Sequence, residues 1–168
     1  MRIEQRQWTV TNGWESQTKN SLGGPAQLAL MFGATSVLKN PALVDEVKKR
    51  YPAAHVVGCS TAGEICGTRV LDDSLTVTAV NFEHTEIKGT SVKLAESEQS
   101  FDAGRRLAAA IPLSIPAAGS GAPLDLAHVL VFADGLQVNG SELVRGLTSQ
   151  LPEGVTVTGG MEIGRAHV

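Results

Sequence analysis

The segment from His55 to Glu64 combines side chains that could bind or transform a small molecule. Its apolar beginning predicts a short strand, and the residues that follow, GCSTAGE, supply a thiol, two hydroxyls, a carboxylate and two glycines. Ligands of open α/β sheets bind at the carboxyl ends of strands, and glycines let a ligand approach backbone N–H groups closely. The segment therefore predicts a ligand-binding turn with these contacts: Gly58, Cys59, Ser60, Thr61, Gly63 and Glu64.

The hydroxyls and the carboxylate of this segment have two interpretations. In the first, Ser60 and Thr61 hold the carboxylate of a ligand and Glu64 holds its ammonium group, so the ligand is an amino acid. In the second, a hydroxyl caps the turn that follows and Glu64 completes a capping box. Residue types alone leave both interpretations open.

Cys59 could be a nucleophile only with a base, usually histidine, that lowers the pKa of its thiol. His55 belongs to the same predicted strand and points away from the turn, whereas His84 and His128 could approach only through the fold. A small buried cysteine is the favoured interpretation, because cysteine is among the residues most often found in protein cores. An enzyme with Cys59 as its nucleophile is an alternative function.

A second group of candidate contacts follows the apolar run at 129–132 and the predicted strand at 155–158. Because loops at the carboxyl ends of strands meet at one edge of a sheet, this group is predicted to line the same cleft. The alternatives are a turn-forming aspartate, a helix-capping asparagine and turn glycines. The group consists of Asp134, Gly135, Asn139, Gly159 and Gly160.

The hydrophobic pattern predicts an α/β fold with a mixed, largely parallel sheet and flanking helices. Strands are predicted at 3–10, 28–32, 56–57, 74–82, 87–94, 129–132 and 155–158, and helices after Asn40, at 101–111 and after Asn139. The run at 28–32 is typical of a strand buried on both faces, and the link at 83–86 predicts a hairpin. The β-α-β order over 28–57 predicts a parallel pair of strands. Loops are predicted at 12–24 and 112–123.

Composition limits the partners and the cofactors. The 168 residues carry a net charge of −3 and include 42% hydrophobic residues, which predicts neither nucleic-acid nor membrane binding. The first ten residues lack the apolar core of a signal peptide, and two cysteines make no disulfide framework, so a cytoplasmic location is expected. Cys59 and Cys66 have no second close pair of ligands, so no metal site and no cofactor is predicted.

Three segments together resemble a known family. They are VGCSTAGEI at 57–65, LVFADGL at 130–136 with Asn139-Gly140 after it, and VTGG at 157–160. Their order and spacing are similar to those of the N-terminal half of FIST proteins, and the resemblance extends from about Ala26 to Gly160.

The resemblance implies a bacterial sensory module that binds small ligands such as amino acids. FIST domains occur beside signalling genes or joined to histidine kinases, cyclic-dinucleotide enzymes or methyl-accepting domains. The expected function is therefore ligand sensing without catalysis, for a signalling partner such as a histidine kinase. Some members bind haem and sense nitric oxide, and that alternative would use His55, His84 or His128 as axial ligand.

The sequence departs from the family pattern at both ends. FIST proteins continue past the double glycine into a C-terminal FIST domain, whereas EIGRAHV at 162–168 here resembles a translated sequencing adapter. The expected organisation is an incomplete N-terminal FIST domain at 1–160 and a non-native tail at 161–168. The region before Leu28 is also short for the family. An orphan half-domain that binds nothing, with apolar sheet surface left exposed, is a further alternative.

Overall fold

The computed structural model describes residues 1–18, 21–94, 99–117, 121–162 and 166–167. The chain divides into two compact units, of which unit 1 comprises 1–87 with 162–168 and unit 2 comprises 88–161. None of the helices in the described part of the chain has the length and apolar character needed to cross a membrane.

Unit 1 is built on a mixed sheet with two helices. Its elements are β1 (Arg2–Thr9), β2 (Gly13–Ser16), β3 (Leu28–Ala34), α1 (Thr35–Leu38), α2 (Pro41–Arg50), β4 (His55–Thr61), β5 (Glu64–Cys66), β6 (Arg69–Leu71) and β7 (Ser74–Asn81). The short strand β12 (Ala166–His167) also belongs to unit 1 and pairs with β4. Its number follows the four strands of unit 2, β8 to β11, which are given below. The main sheet has the strand order β12-β4-β3-β7-β1-β2.

The prediction of a largely parallel sheet was wrong. Of the five strand pairs in the main sheet as described, β3–β4 is parallel and the other four are antiparallel. A parallel pair needs a long crossover, usually a helix, and in unit 1 the helices α1 and α2 together supply the crossover between β3 and β4. The α/β class, the mixed sheet and the parallel β3–β4 pair are confirmed.

The helix predicted after Asn40 is confirmed, and its local causes are visible. The Asn40 side chain accepts a hydrogen bond from the Ala42 N–H at 3.2 Å, and Pro41 opens the helix, as its fixed φ favours. Leu43 and Val47 are buried in a core that also contains Met31 and other inward residues of β3 and β7. Helix α2 therefore covers one face of the main sheet.

Several boundaries in unit 1 differ from the predictions. Strand β3 is not buried on both faces, because its residues alternate between buried and half-buried. The predicted loop at 12–24 contains β2, which forms a hairpin with β1. Residues 87–94 form no strand in the described structure, so the hairpin predicted after β7 was wrong. A hairpin of β5 and β6 stands between β4 and β7 instead.

Unit 2 contains two packed helices and short strands. Its elements are α3 (Ser100–Ala110), β8 (Ser114–Ile115), β9 (Leu124–Asp125), β10 (His128–Asp134), α4 (Gly140–Thr148) and β11 (Thr156–Glu162). The predicted helix at 101–111 and the strand at 129–132 are confirmed, whereas the predicted loop at 112–123 contains β8. Residues 118–120 of that loop lie outside the described residues.

Close backbone contacts hold the elements of unit 2 together. A Cβ atom on Gly146 would overlap the carbonyl oxygen of Phe101, so glycine lets α3 and α4 approach. A Cβ on Gly159 would likewise overlap the carbonyl oxygen of Val131 in β10. Strand β11 continues through Gly159 and Gly160, so the predicted strand end at 158 was wrong. On α4, Leu143 and Leu147 are buried, whereas Val144 between them is exposed.

Candidate functional site

The predicted turn at 58–61 is part of strand β4. Gly58 lies opposite Met31 and Cys59 lies opposite Phe32 in the ladder with β3. Because side chains alternate along a strand, Gly58 and Ser60 share one face of the sheet and Cys59 and Thr61 the other. The chain leaves the strand only after Thr61, so the expected turn is confined to Ala62 and Gly63.

Glu64 is a buried carboxylate with three hydrogen bonds from its own chain. Its Oε1 accepts from the Thr61 hydroxyl at 2.7 Å, and its Oε2 accepts from the Ser74 hydroxyl at 2.8 Å and the Ser74 N–H at 3.2 Å. The side chain is 1% exposed. These bonds join the end of β4, the start of β5 and the start of β7. Glu64 begins strand β5 and not a helix, so the capping-box interpretation was wrong. We name Glu64, Thr61 and Ser74 the carboxylate brace.

Ser60 differs from its neighbours in the predicted segment. Its side chain is buried, and its Oγ has no hydrogen-bond partner within the described part of the chain. A buried hydroxyl without a partner is costly. Of the two hydroxyls predicted to contact a ligand, Thr61 already donates to Glu64, whereas the Ser60 hydroxyl has no partner among the described residues.

The two cysteines are buried thiols on the sheet and in the β5–β6 hairpin. The Cys66 thiol donates to the side-chain oxygen of Gln5 at 3.4 Å, and burial raises the pKa of this thiol. Cys59 is fully buried. Reactive cysteines combine exposure with a lowered pKa, so these positions match the structural interpretation of cysteine.

We expect both thiols to react slowly with a thiol reagent in the native protein. Burial of Cys59 and Cys66 should make the reaction at least about tenfold slower than in urea, because the reagent must wait for an opening. Absorbance-detected titration with a disulfide reagent measures both rates. Fast native reaction of one thiol, removed in Cys59→Ser, would support the enzyme alternative.

The candidate contacts in unit 2 have structural roles. The Asp134 carboxylate accepts a hydrogen bond from the Leu136 N–H at 2.9 Å, as in a turn. The Asn139 side chain caps α4 by accepting from the Glu142 N–H at 3.2 Å, and the Asn139 N–H donates to Ser100 Oγ at 2.9 Å. Ligand contacts by Asp134, Gly135 and the other members of this group stay predictions.

Histidines and metal ligands do not converge in the described structure. Among the described residues, no group of three or more His, Cys, Asp or Glu side chains could hold a metal ion. His128 Nε2 lies 2.8 Å from Thr158 Oγ1, and His55 and His84 are exposed.

A cavity in unit 1 is lined by residues that the sequence patterns did not single out. Its volume is about 220 Å³, and it lies between helix α2 and strands β1, β2 and β7. We name it the arginine cavity after two of its lining residues. The lining residues are Arg6, Trp14, Glu46, Val47, Arg50, Tyr51 and Val77.

The two arginines of the cavity approach the same carboxylate, that of Glu4. Arg50 Nη2 lies 2.7 Å from Glu4 Oε1, and this bond raises the pKa of Arg50. Arg6 Nη1 lies 3.6 Å from the same oxygen. The Trp14 indole N–H donates to Glu46 at 2.6 Å, and burial raises the pKa of the Tyr51 phenol.

A period-two signal could have placed Arg6, which lines this cavity, on the same strand face as Glu4 and Trp8. Glu4, Arg6 and Trp8 alternate with other residues along β1, and such residues share one face of a strand. The sequence patterns gave no sign that Arg50 meets Glu4, because the two residues are 46 positions apart.

Comparison with known proteins identifies a family. The model of the FIST N domain matches residues 27–167, which contain every candidate contact predicted from the sequence but not Arg6 or Trp14. No curated protein and no solved structure matches the chain. Because the match covers most of the 168 residues, the chain belongs to the FIST family of sensory domains.

Proposed function

We propose that the protein binds amino acids or related small acids in the cytoplasm and passes its bound state to a signalling partner such as a histidine kinase. Membership of a sensory family carries this proposal. A cavity of about 220 Å³ in unit 1 supports it, since a cavity of about 150 Å³ already holds a molecule of the size of benzene.

The proposed signal is a shift between two conformations. A ligand shifts such an equilibrium only by its difference in affinity for the two states, so the bound groups must belong to elements that can rearrange. The carboxylate brace joins three strands through one side chain and is our candidate for such an element. Ser60, with its unpartnered hydroxyl, precedes Thr61 of the brace in β4 and is the candidate ligand contact in that strand.

A thermal-shift screen against amino acids and small carboxylic acids tests the proposal. A ligand present at a hundred times its Kd should add about 2.7 kcal/mol to the unfolding free energy, which raises Tm by about 5–10 °C in a domain of this size. If Ser60 contacts the ligand, Ser60→Ala should reduce this shift, whereas Ser141→Ala on the exposed side of α4 should not.

The opposite results are also informative. Absence of any shift across the panel would contradict small-acid sensing. A Soret absorbance band in the purified protein would favour the haem alternative, and its loss on replacement of one histidine would identify the axial ligand.

A further inference from the structure

The side chain of Arg6 is mostly buried, and one of its N–H donors has no hydrogen-bond partner among the described residues. Its side chain is 18% exposed, and its Nε atom has no hydrogen-bond partner among the described residues. The nearest carboxylate oxygen, on Glu4, lies 3.6 Å from Arg6 Nη1, which is beyond hydrogen-bonding distance. The Nε atom is shielded from solvent, but Arg6 lines the cavity, so an acceptor bound there would meet the Nη donors of its guanidinium. An acceptor at this place would offset the cost of burying a charged donor.

Arg6 and Arg50 converge on a single oxygen atom. Both guanidinium groups approach Glu4 Oε1, although each guanidinium carries five N–H donors. Arg50 uses one further donor, its Nε–H, on the Tyr51 hydroxyl at 3.3 Å. Glu46, the acid among the lining residues, already accepts from Trp14. Donors therefore outnumber acceptors in this part of the cavity.

We propose that the arginine cavity binds the carboxylate of a small organic acid, with Arg6 and Arg50 as its hydrogen-bond donors. The planar guanidinium matches the two oxygens of a carboxylate. The rings of Trp14 and Tyr51 and the side chain of Val47 line the remaining space and provide an apolar surface for the body of the ligand. The inference rests on the proposed function, because it names the group of the sensed ligand that the protein holds.

Glu4 competes with the ligand carboxylate in this site. Its Oε1 is 2.7 Å from Arg50, so a second carboxylate must share or replace that contact. Glu4→Gln removes the competing charge and should strengthen acid binding. The same change should lower the Tm of the unliganded protein, because it leaves two guanidinium groups close together without a counter-charge.

Calorimetric titration of the whole chain tests the site. The probes are the protein-forming amino acids, short-chain fatty acids, benzoate and inorganic phosphate. The acid that binds most tightly is compared with its neutral amide. We expect the amide to bind at least about tenfold more weakly, and Arg6→Gln and Arg50→Gln each to weaken acid binding by at least about tenfold. Arg6→Lys should give an intermediate loss of acid affinity, because lysine keeps the positive charge but lacks the paired N–H donors of the planar guanidinium.

Controls separate this inference from loss of fold and from the proposed function. Arg69→Gln, on the exposed part of β6, makes the same charge change away from the cavity and should leave acid binding unchanged. Circular dichroism confirms that each variant is folded. Acid binding that is unchanged in Arg6→Gln overturns the arginine site but leaves small-ligand sensing standing, as does tighter binding of inorganic phosphate than of any acid. Failure of the whole panel overturns both.

Discussion

Replacement of Gly58 by alanine should lower the free energy of unfolding by more than about 3 kcal/mol, because β4 lies too close to β3 for a side chain at this position. A Cβ atom at Gly58 would overlap the carbonyl oxygen of Met31 and lie 2.6 Å from the carbonyl carbon. These atoms belong to the backbone of the neighbouring strand, so rotation of a side chain cannot relieve the overlap.

Thermal unfolding followed by circular dichroism measures this effect. A loss of 3 kcal/mol corresponds to a fall in Tm of about 6–12 °C in a domain of this size. Gly121→Ala is the matched control, because the nearest atom to a Cβ there, on Ala117, is 3.5 Å away, an ordinary contact distance. A Gly58→Ala protein with a Tm within about 2 °C of the wild type would show that β3 and β4 are not in such close contact.

This prediction bears on why the segment contains glycine. The sequence interpretation gave Gly58 the role of letting a ligand approach the backbone, whereas the structure shows the backbone of β3 in that place. Glycine allows close approach in either case, and sequence alone does not say which group approaches.

The elements that could be predicted are those whose causes lie within a few residues. Helix α2 has its cap at Asn40, proline at its start and basic residues in its last turn. Helix α4 likewise begins after the capping residue Asn139, and β7 is a run of β-branched and apolar residues. Each signal acts through local hydrogen bonds, the helix dipole or strand propensity.

The errors concern partners that are distant in sequence. Strand β7 pairs antiparallel with both β1 and β3, so a sheet that looked parallel from its β-α-β unit is mainly antiparallel. Strand β4 continues past Gly58 because β3 provides a ladder for residues 58–61. Tertiary pairing of this kind overrides the turn propensity of small polar residues.

The arginine cavity was missed for the same physical reason. Its walls come from β1, β2, α2 and β7, and none of these segments contains a recognisable binding motif. Trp14 lies in the predicted loop at 12–24, and it meets Glu46 across 32 residues. Residues distant in sequence meet here because of the tertiary fold. Hydrophobic periodicity and secondary-structure propensity do not specify such contacts.

Replacement of Glu64 by alanine should lower the free energy of unfolding by about 3–5 kcal/mol. The change removes three hydrogen bonds to a buried carboxylate and leaves the Ser74 hydroxyl and N–H and the Thr61 hydroxyl without their acceptor. Glu64→Gln should cost only about 1–2 kcal/mol, because the amide oxygen still accepts from Ser74 and the Thr61 hydroxyl can rotate to accept from the amide.

Denaturant unfolding of Glu64→Ala, Ser74→Ala and the double variant measures the carboxylate brace. We expect a coupling energy of about 0.5–3 kcal/mol, because the two side chains are in direct contact. Glu15→Ala, on the exposed edge strand β2, is the matched control and should change stability by less than about 0.5 kcal/mol.

The outcome distinguishes a brace from a ligand contact. If Glu64→Ala costs less than about 1 kcal/mol and shows no coupling with Ser74, then β5 and β7 are not held through this carboxylate. Glu64→Gln provides the complementary measurement. Because it should keep most of the internal bonds, a loss of ligand affinity in this variant that exceeds its loss of stability would mean that the charge of Glu64 contacts the ligand. Loss of stability with unchanged affinity would mean that Glu64 acts within the fold alone.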